Sequence, residues 1–161
     1  MATEGPDGML IAWHGSPNFY TGRGGANVSA IIMHETDGAT ADSAVGWFAD
    51  PASQVSAHYV IDRDGSVYQC VALVNAAWHC PSWNRRSVGI ECVAVDGERL
   101  AVDQAGALSK LVQWLKDKLS VPIGMISGHR FMVDTPKACP GALFGDRTLA
   151  ALQQWVKDNV K

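Results

Sequence analysis

Two histidines and a cysteine carry the chemistry most worth testing in this sequence. His34 closes an apolar run before Glu35-Thr36, His129 follows Ser127-Gly128, and Cys139 sits in a Pro-bounded loop. Two imidazoles and a thiolate make an open zinc set: three protein donors and a fourth position for water, whose pKa the metal lowers toward ~7. The same residues admit plainer readings. A lone histidine is more often a satisfied core or surface group, and a lone cysteine an inert buried thiol. Cys139 and His129 could also serve a metal-free hydrolase as nucleophile and base. No HExxH run is present to decide among these. Glu91 is a lone carboxylate in the apolar stretch Val88 to Val95. Burial there would raise its pKa, as a proton shuttle needs, whereas a solvent-facing edge would leave it an ordinary surface acid. Glu35, beside His34, is the reserve acid.

These side chains need elements to hold them. Residues 1–27 are rich in Gly, Pro and Asn and read as a loop segment packed on the domain surface. Val28 to Met33 reads as a buried strand ending at His34. The spacing of Ala41, Ala44, Val45, Trp47 and Phe48 predicts a short helix within Gly38 to Asp50. Ala57 to Ile61 and Ser66 to Val71 read as a hairpin around Asp64-Gly65. Ser87 to Val95 is a third long strand and Ala105 to Leu119 the clearest helix. Ile123 to Ile126 is a short strand ending near His129, Asp134 to Gly141 is loop, and Thr148 to Val160 is a closing helix. Strands separated by helices predict one α/β domain over residues 1–161, with a central mixed β-sheet flanked by helices. In such sheets, sites gather at strand ends and the loops beyond them.

Composition excludes several classes. The chain has 161 residues, 47% hydrophobic and 18% charged, an ordinary globular balance. A net charge of −3 offers no overall basic field for nucleic acid. The apolar stretches are too short to insert in a membrane. Met1 to Gly8 carries Glu4 and Asp7 and no apolar run, so a secretory signal is not expected and synthesis in the cytoplasm is. Cys70, Cys80, Cys92 and Cys139 include no CxxC pair and are expected to be free thiols or a metal ligand rather than disulfides.

Seven segments occur in a telling order: Ile31-Ile32-Met33-His34-Glu35-Thr36, Ser56 to Gly65, Ala77-Trp78-His79, Asn84, Ser87-Val88-Gly89-Ile90-Glu91, Gly128-His129-Arg130, and Pro136 to Gly141. With the entry segment Trp13 to Asn18, the set resembles the type 2 N-acetylmuramoyl-L-alanine amidases, which include phage endolysins, bacterial cell-wall amidases and peptidoglycan recognition proteins. The match runs from about Trp13 to Gly141 and is specific as a set.

The resemblance implies a Zn2+ ion held by His34, His129 and Cys139, with the cysteine form similar to the phage and recognition-protein branches. It implies Lys137 as the cation that steadies the oxyanion, where the plain alternative is a solvated loop lysine. Part of the family places a tyrosine where this chain has Ala57, so that base is missing, and Tyr59 should point away from the face of His58. The recycling amidases use a glutamate at the position of Glu91, which makes Glu91 the expected proton acceptor and donor. His58, Trp78, His79, Asn84 and Arg85 match positions that border the groove and are expected to bind substrate. Trp78 could equally close the core, and Arg85 be a solvated cation. The implied substrate is bacterial peptidoglycan, cut between the lactyl group of N-acetylmuramic acid and L-alanine. An endolysin acting as a monomer after holin-type release is the expectation. The alternatives are a cytoplasmic muropeptide-recycling amidase and a recognition module that binds without cutting.

Overall fold

The computed structural model describes residues 2–134 and 137–161; Thr135 and Pro136, part of the expected 134–141 loop, lie outside the described residues. A six-stranded mixed sheet is built from β1 (Ile11–Trp13), β3 (Ala30–Glu35), β4 (Tyr59–Ile61), β5 (Val67–Gln69), β7 (Ser87–Cys92) and β8 (Ile126–Gly128). Its order is β1-β5-β4-β7-β3-β8. β4 and β5 pair antiparallel through the Asp64-Gly65 turn, while β4, β7, β3 and β8 run parallel to one another. A small antiparallel pair joins β2 (Phe19–Tyr20) to β6 (Ala76–Ala77). Three helices complete the fold: α1 (Ala41–Ala49), α2 (Val102–Leu119) and α3 (Leu149–Asn159).

Alternation along the strands sorts the two faces of the sheet. Ile31 and Met33, Tyr59 and Ile61, and Val88, Ile90 and Cys92 point to one side. There they meet Leu108, Leu111 and Leu115 of α2 and Leu152 and Val156 of α3, forming the main core. The opposite side receives His34, Val60 and Glu91, and part of it is covered by Ala41, Ala44, Val45 and Phe48 of α1. Tyr59 therefore lies across the sheet from His58, as expected, and its hydroxyl donates to the Glu4 carbonyl at 2.7 Å. The four cysteines are free.

Several boundaries differ from those the sequence predicts. The 1–27 segment is not all loop: β1 is an edge strand of the main sheet and β2 pairs with β6. The apolar run Met9 to Trp13 carried a signal for β1 that the Gly- and Pro-rich surroundings obscured, whereas the two residues of β2 become a strand only by pairing with β6. The expected strand at Ile123 to Ile126 is a 3₁₀ turn over Ile123–Met125, and the strand is Ile126–Gly128, where pairing with Ile31 to Met33 is available. α2 begins at Val102, one turn before its apolar stripe. The Gln104 side chain reaches back to accept from the Ala101 N–H at 3.3 Å and donates to the Ile61 and Val93 carbonyls, both at 3.0 Å. Gln104 is fully buried and ties helix to sheet, so Gln104→Leu should cost about 1–3 kcal/mol by leaving strand carbonyls short of donors, read as a lower urea midpoint.

Candidate metal centre

Register decides the heart of the site. β3 and β7 pair parallel with His34 opposite Glu91, so both side chains leave the same face on neighbouring strands. The result is a Glu91 Oε1 3.9 Å from His34 Nδ1. β8 lies on the other side of β3 and delivers His129 directly after Gly128. The loop bearing Cys139 is fastened to this point by the Arg130 N–H, which donates to the Cys139 carbonyl at 3.0 Å. Gly128 is required by the same docking: a Cβ there would sit 2.7 Å from the Pro140 ring. Cys139 Sγ comes to 3.5 Å from His34 Nδ1 across 105 residues of chain.

One ligand atom from each of His34, His129 and Cys139 lies within 4.8 Å of the others. Zinc bonds of ~2.0–2.3 Å in a tetrahedron require donors roughly 3.3–3.7 Å apart, so this N, N, S set fits a zinc ion with small adjustment. His129 Nε2 is buried and has no hydrogen-bond partner among the described residues, which suits it to a metal. Burial holds His34 well toward the neutral form and lowers the pKa of His129; His79 and His129 add to the effect at His34, and the Lys137 charge adds to it at His129. Neutral imidazole is the form that binds a cation.

Two carboxylates flank these donors. Burial, with Glu35 adding its charge, pushes Glu91 up to about 8. Its Oε2 has no partner among the described residues, and its side chain is 14% exposed. Burial, then Asp96 and Asp37, raises Glu35 to about 6. Burial and the Glu91 charge push the Cys139 thiol well above its ordinary value. A nearby cation would reverse these shifts, because it favours every anion around it.

The centre opens at the junction of two hollows, of about 550 and 720 Å³, which share Val55, Trp78, His79 and His129. The first continues over Glu35, Asp37, Trp47 and Glu91, and the second over Tyr20, Asn84, Asp134 and Lys137. A wider groove of about 1290 Å³ lies at the β1 edge against α2, but its titratable lining is Asp7, Asp64, Tyr68, Asp103, Lys110 and Asp117, without a histidine or cysteine. The metal-binding chemistry is therefore in the narrower cleft. The entry segment braces its wall: Asn18 Nδ2 donates to the Asp50 and Val55 carbonyls at 2.8 and 3.1 Å.

The other expected residues fall in different places. Trp78 stands on the rim between the hollows, outside the core clusters, with its indole N–H unpartnered among the described residues. Tyr20 packs on it with ring centroids 5.4 Å apart, and the Arg85 guanidinium covers Tyr20 at 4.4 Å. Lys137 is exposed at the edge of the second hollow. Asn84 is buried and holds its loop, its Oδ1 accepting from the His79 and Cys80 N–H groups at 3.0 and 2.7 Å. His79 is buried against His34. His58 does not reach the cleft surface. It is fully buried, its Nδ1 accepts from the Gly89 N–H at 3.0 Å, and its Nε2 lies 3.2 Å from the Asn75 carbonyl. Direct substrate contact by His58 is thus corrected to a supporting place beneath the site.

Sequence reasoning missed Trp47 and Arg23. Trp47 is 56% exposed at the cleft, and its signal was available: it lies off the 41, 44, 45, 48 stripe that α1 buries. Arg23 clamps the loop behind the site, donating to the Leu73 and Ser87 carbonyls at 2.8 and 3.0 Å, and nothing local in its Gly-rich segment announces that.

A family model for N-acetylmuramoyl-L-alanine amidase matches residues 24–142. The curated N-acetylmuramoyl-L-alanine amidase A of Achromobacter lyticus is 45% identical over 64 residues, 39% of this chain and 36% of that protein, so the match spans about a third of the relative's length. Among solved structures, an AmpD derivative superposes with a TM-score of 0.80 at 21% identity, covering 99% of this chain and 100% of the other. A mutant endolysin from Bacillus subtilis gives 0.71 at 22% identity, covering 95% and 99%. At these identities the superpositions establish the shared fold.

Burial of His58 has a consequence for stability. It depresses the folded-state pKa from 6.5 to about 3, so between those values the unfolded chain binds a proton that the folded chain does not. Stability is therefore fully present above pH 6.5 and declines as pH falls, by about 1.4 kcal/mol per unit from this group. Urea midpoints should drop between pH 7 and pH 5, and His58→Gln should drop less steeply; parallel slopes would refute the assignment.

Proposed function

Because the chain belongs to the N-acetylmuramoyl-L-alanine amidase family, we propose that it hydrolyses the amide joining the lactyl group of N-acetylmuramic acid to L-alanine in bacterial peptidoglycan, using a zinc ion held by His34, His129 and Cys139. The observation that carries this is the convergence of those three donors beside an enclosed carboxylate with a free oxygen. Bound there, zinc would supply Lewis acidity toward the amide carbonyl and make water more acidic.

The chain's own residues supply the rest. Glu91 faces the donors with an unpartnered oxygen, and a cation beside it would lower the pKa that burial raises and favour the carboxylate, which can take a proton from the attacking water and return it to the departing amine. Lys137 supplies a positive charge on the His129 side of the cleft, suited to the negative charge that develops on the carbonyl oxygen. Trp78 lines both hollows and Trp47 the first, suited to sugar rings, while Arg85, outside the lining and stacked on Tyr20 of the second hollow, would be a peripheral cation for a stem-peptide or muramic carboxylate. The metal-free cysteine hydrolase is disfavoured, since burial and Glu91 hold the Cys139 thiol protonated, the opposite of an activated nucleophile.

We assign the enzyme to lysis as an endolysin that reaches the wall through a holin-type pore and acts as a monomer on peptidoglycan. Recycling of soluble muropeptides is the second reading, favoured by the AmpD superposition and by Glu91. No helix among the described residues is long and apolar enough to cross a membrane.

Purified walls should clear with the protein, stop clearing when a strong chelator strips the metal, and clear again when zinc returns, with new alanine amino termini appearing. Clearing that persists after verified metal removal would sink the zinc reading. Glu91→Gln should lower kcat by about 10²–10⁴-fold and Lys137→Ala by about 10²–10³-fold, with zinc still bound. A rate on soluble muropeptides far above that on intact walls would replace lysis by recycling.

A further inference from the structure

A chain of three hydrogen bonds runs from the metal centre to a backbone carbonyl. His34 Nε2 lies 3.0 Å from His79 Nδ1, His79 Nε2 lies 3.1 Å from Ser87 Oγ, and Ser87 Oγ lies 2.8 Å from the Trp83 carbonyl oxygen. Two oxygens 2.8 Å apart need a proton between them, and only the serine has one. Ser87 therefore donates to Trp83 and accepts from His79, which places the His79 proton on Nε2. His79 is buried with no carboxylate among its hydrogen-bond partners, so it is neutral and has a single N–H. Its Nδ1 is then an acceptor, and the proton on His34 must be on Nε2. That leaves the Nδ1 lone pair of His34 facing Cys139 at 3.5 Å and Glu91 at 3.9 Å.

We infer that His79 is a positioning residue for the metal centre: with Ser87 and the Trp83 carbonyl it fixes the tautomer and ring orientation of His34, presenting Nδ1 to a zinc ion. The fold builds a seat for this ring. Ser87, Gly89 and Glu91 share one face of β7, and a Cβ on Gly89 would meet the His79 ring at 2.5 Å, so the absent side chain is what lets the imidazole lie against the strand. Asn84 holds the backbone on either side of His79, and Ser87 begins the strand that two positions on carries the seat and four positions on carries the acid. His79 lines both hollows, but each of its ring nitrogens is already engaged within the protein, which leaves it no free polar atom for substrate. Outer partners of this kind commonly change metal affinity ten- to hundredfold.

The consequence for metal affinity rests on the zinc reading; the tautomers themselves do not. Nitrogen-15 NMR of the metal-free protein at neutral pH should show both His34 and His79 protonated on Nε2, and zinc should leave both assignments in place while shifting His34 Nδ1. A proton on His79 Nδ1 would overturn the inference. Failure to bind zinc, with the tautomers as described, would instead remove the metalloamidase reading and leave the relay. Chelator competition gives the second readout. His79→Leu should weaken zinc about ten- to hundredfold. His79→Asn should recover most of it, because its Oδ1 occupies the place of Nδ1 as acceptor, and Ser87→Ala should give a smaller loss. Melting of the metal-free variants reports whether each still folds. Equal zinc affinity in a folded His79→Leu and the parent refutes the inference, as does a His79→Asn no better than His79→Leu. If His79→Leu does not fold, an unchanged affinity in Ser87→Ala does so.

Discussion

The parallel pairing of β3 with β7 is the constraint on which the rest depends. It fixes His34 opposite Glu91. A slip of one residue would send one of them to the far side of the sheet, into the apolar packing of α2 and α3. The register is held from that far side. Ile31 and Met33, with Val88, Ile90 and Cys92, are fully buried in the main core, so a slip would also expose an apolar row and bury a polar one. Core packing on one face thereby sets metal geometry on the other.

The site is costly in its own right. A carboxylate, an acidic neighbour, two imidazoles and a thiol are gathered where water is largely excluded, and several of their atoms have no partner among the described residues. Such groups persist only where the surrounding structure determines their positions and a ligand can satisfy them. A divalent cation suits this arrangement: it gives the orphaned imidazole a partner, favours the thiolate and lowers the carboxyl pKa values that burial has raised.

Precision at the site comes from loops that the sheet does not reach, each fastened by one buried or half-buried polar side chain. Asn18 braces the α1 end of the cleft, Asn84 grips the backbone at His79, and Arg23 gathers carbonyls of the loop between β5 and β7. Gln104 does the same between α2 and the sheet. These bonds are charge-assisted or double, and each would leave buried backbone groups short of a partner if lost. Rigid placement matters because donors a fraction of an ångström out of position no longer fit the metal.

The sequence by itself determined the class of fold, the strands that carry His34 and Glu91, the α2 and α3 stripes and the family, because periodicity and ordered motifs are local or linear signals. Alternation along β7 was enough to put Ser87, Gly89 and Glu91 on one face, whereas Trp47, counted with the apolar spacing of α1, proved to lie off its buried stripe. Only the tertiary structure decided that β1 and β2 are strands, that His58 is buried, that Asn84 serves a loop, and that the His79 ring meets His34. Those facts turn on which distant segments become neighbours. Cys139 reaches His34 across 105 residues, and His79 reaches it across 45, through strand order and loop docking. Spacing along the chain carries no record of either, because the free energy that fixes them belongs to the whole packed core.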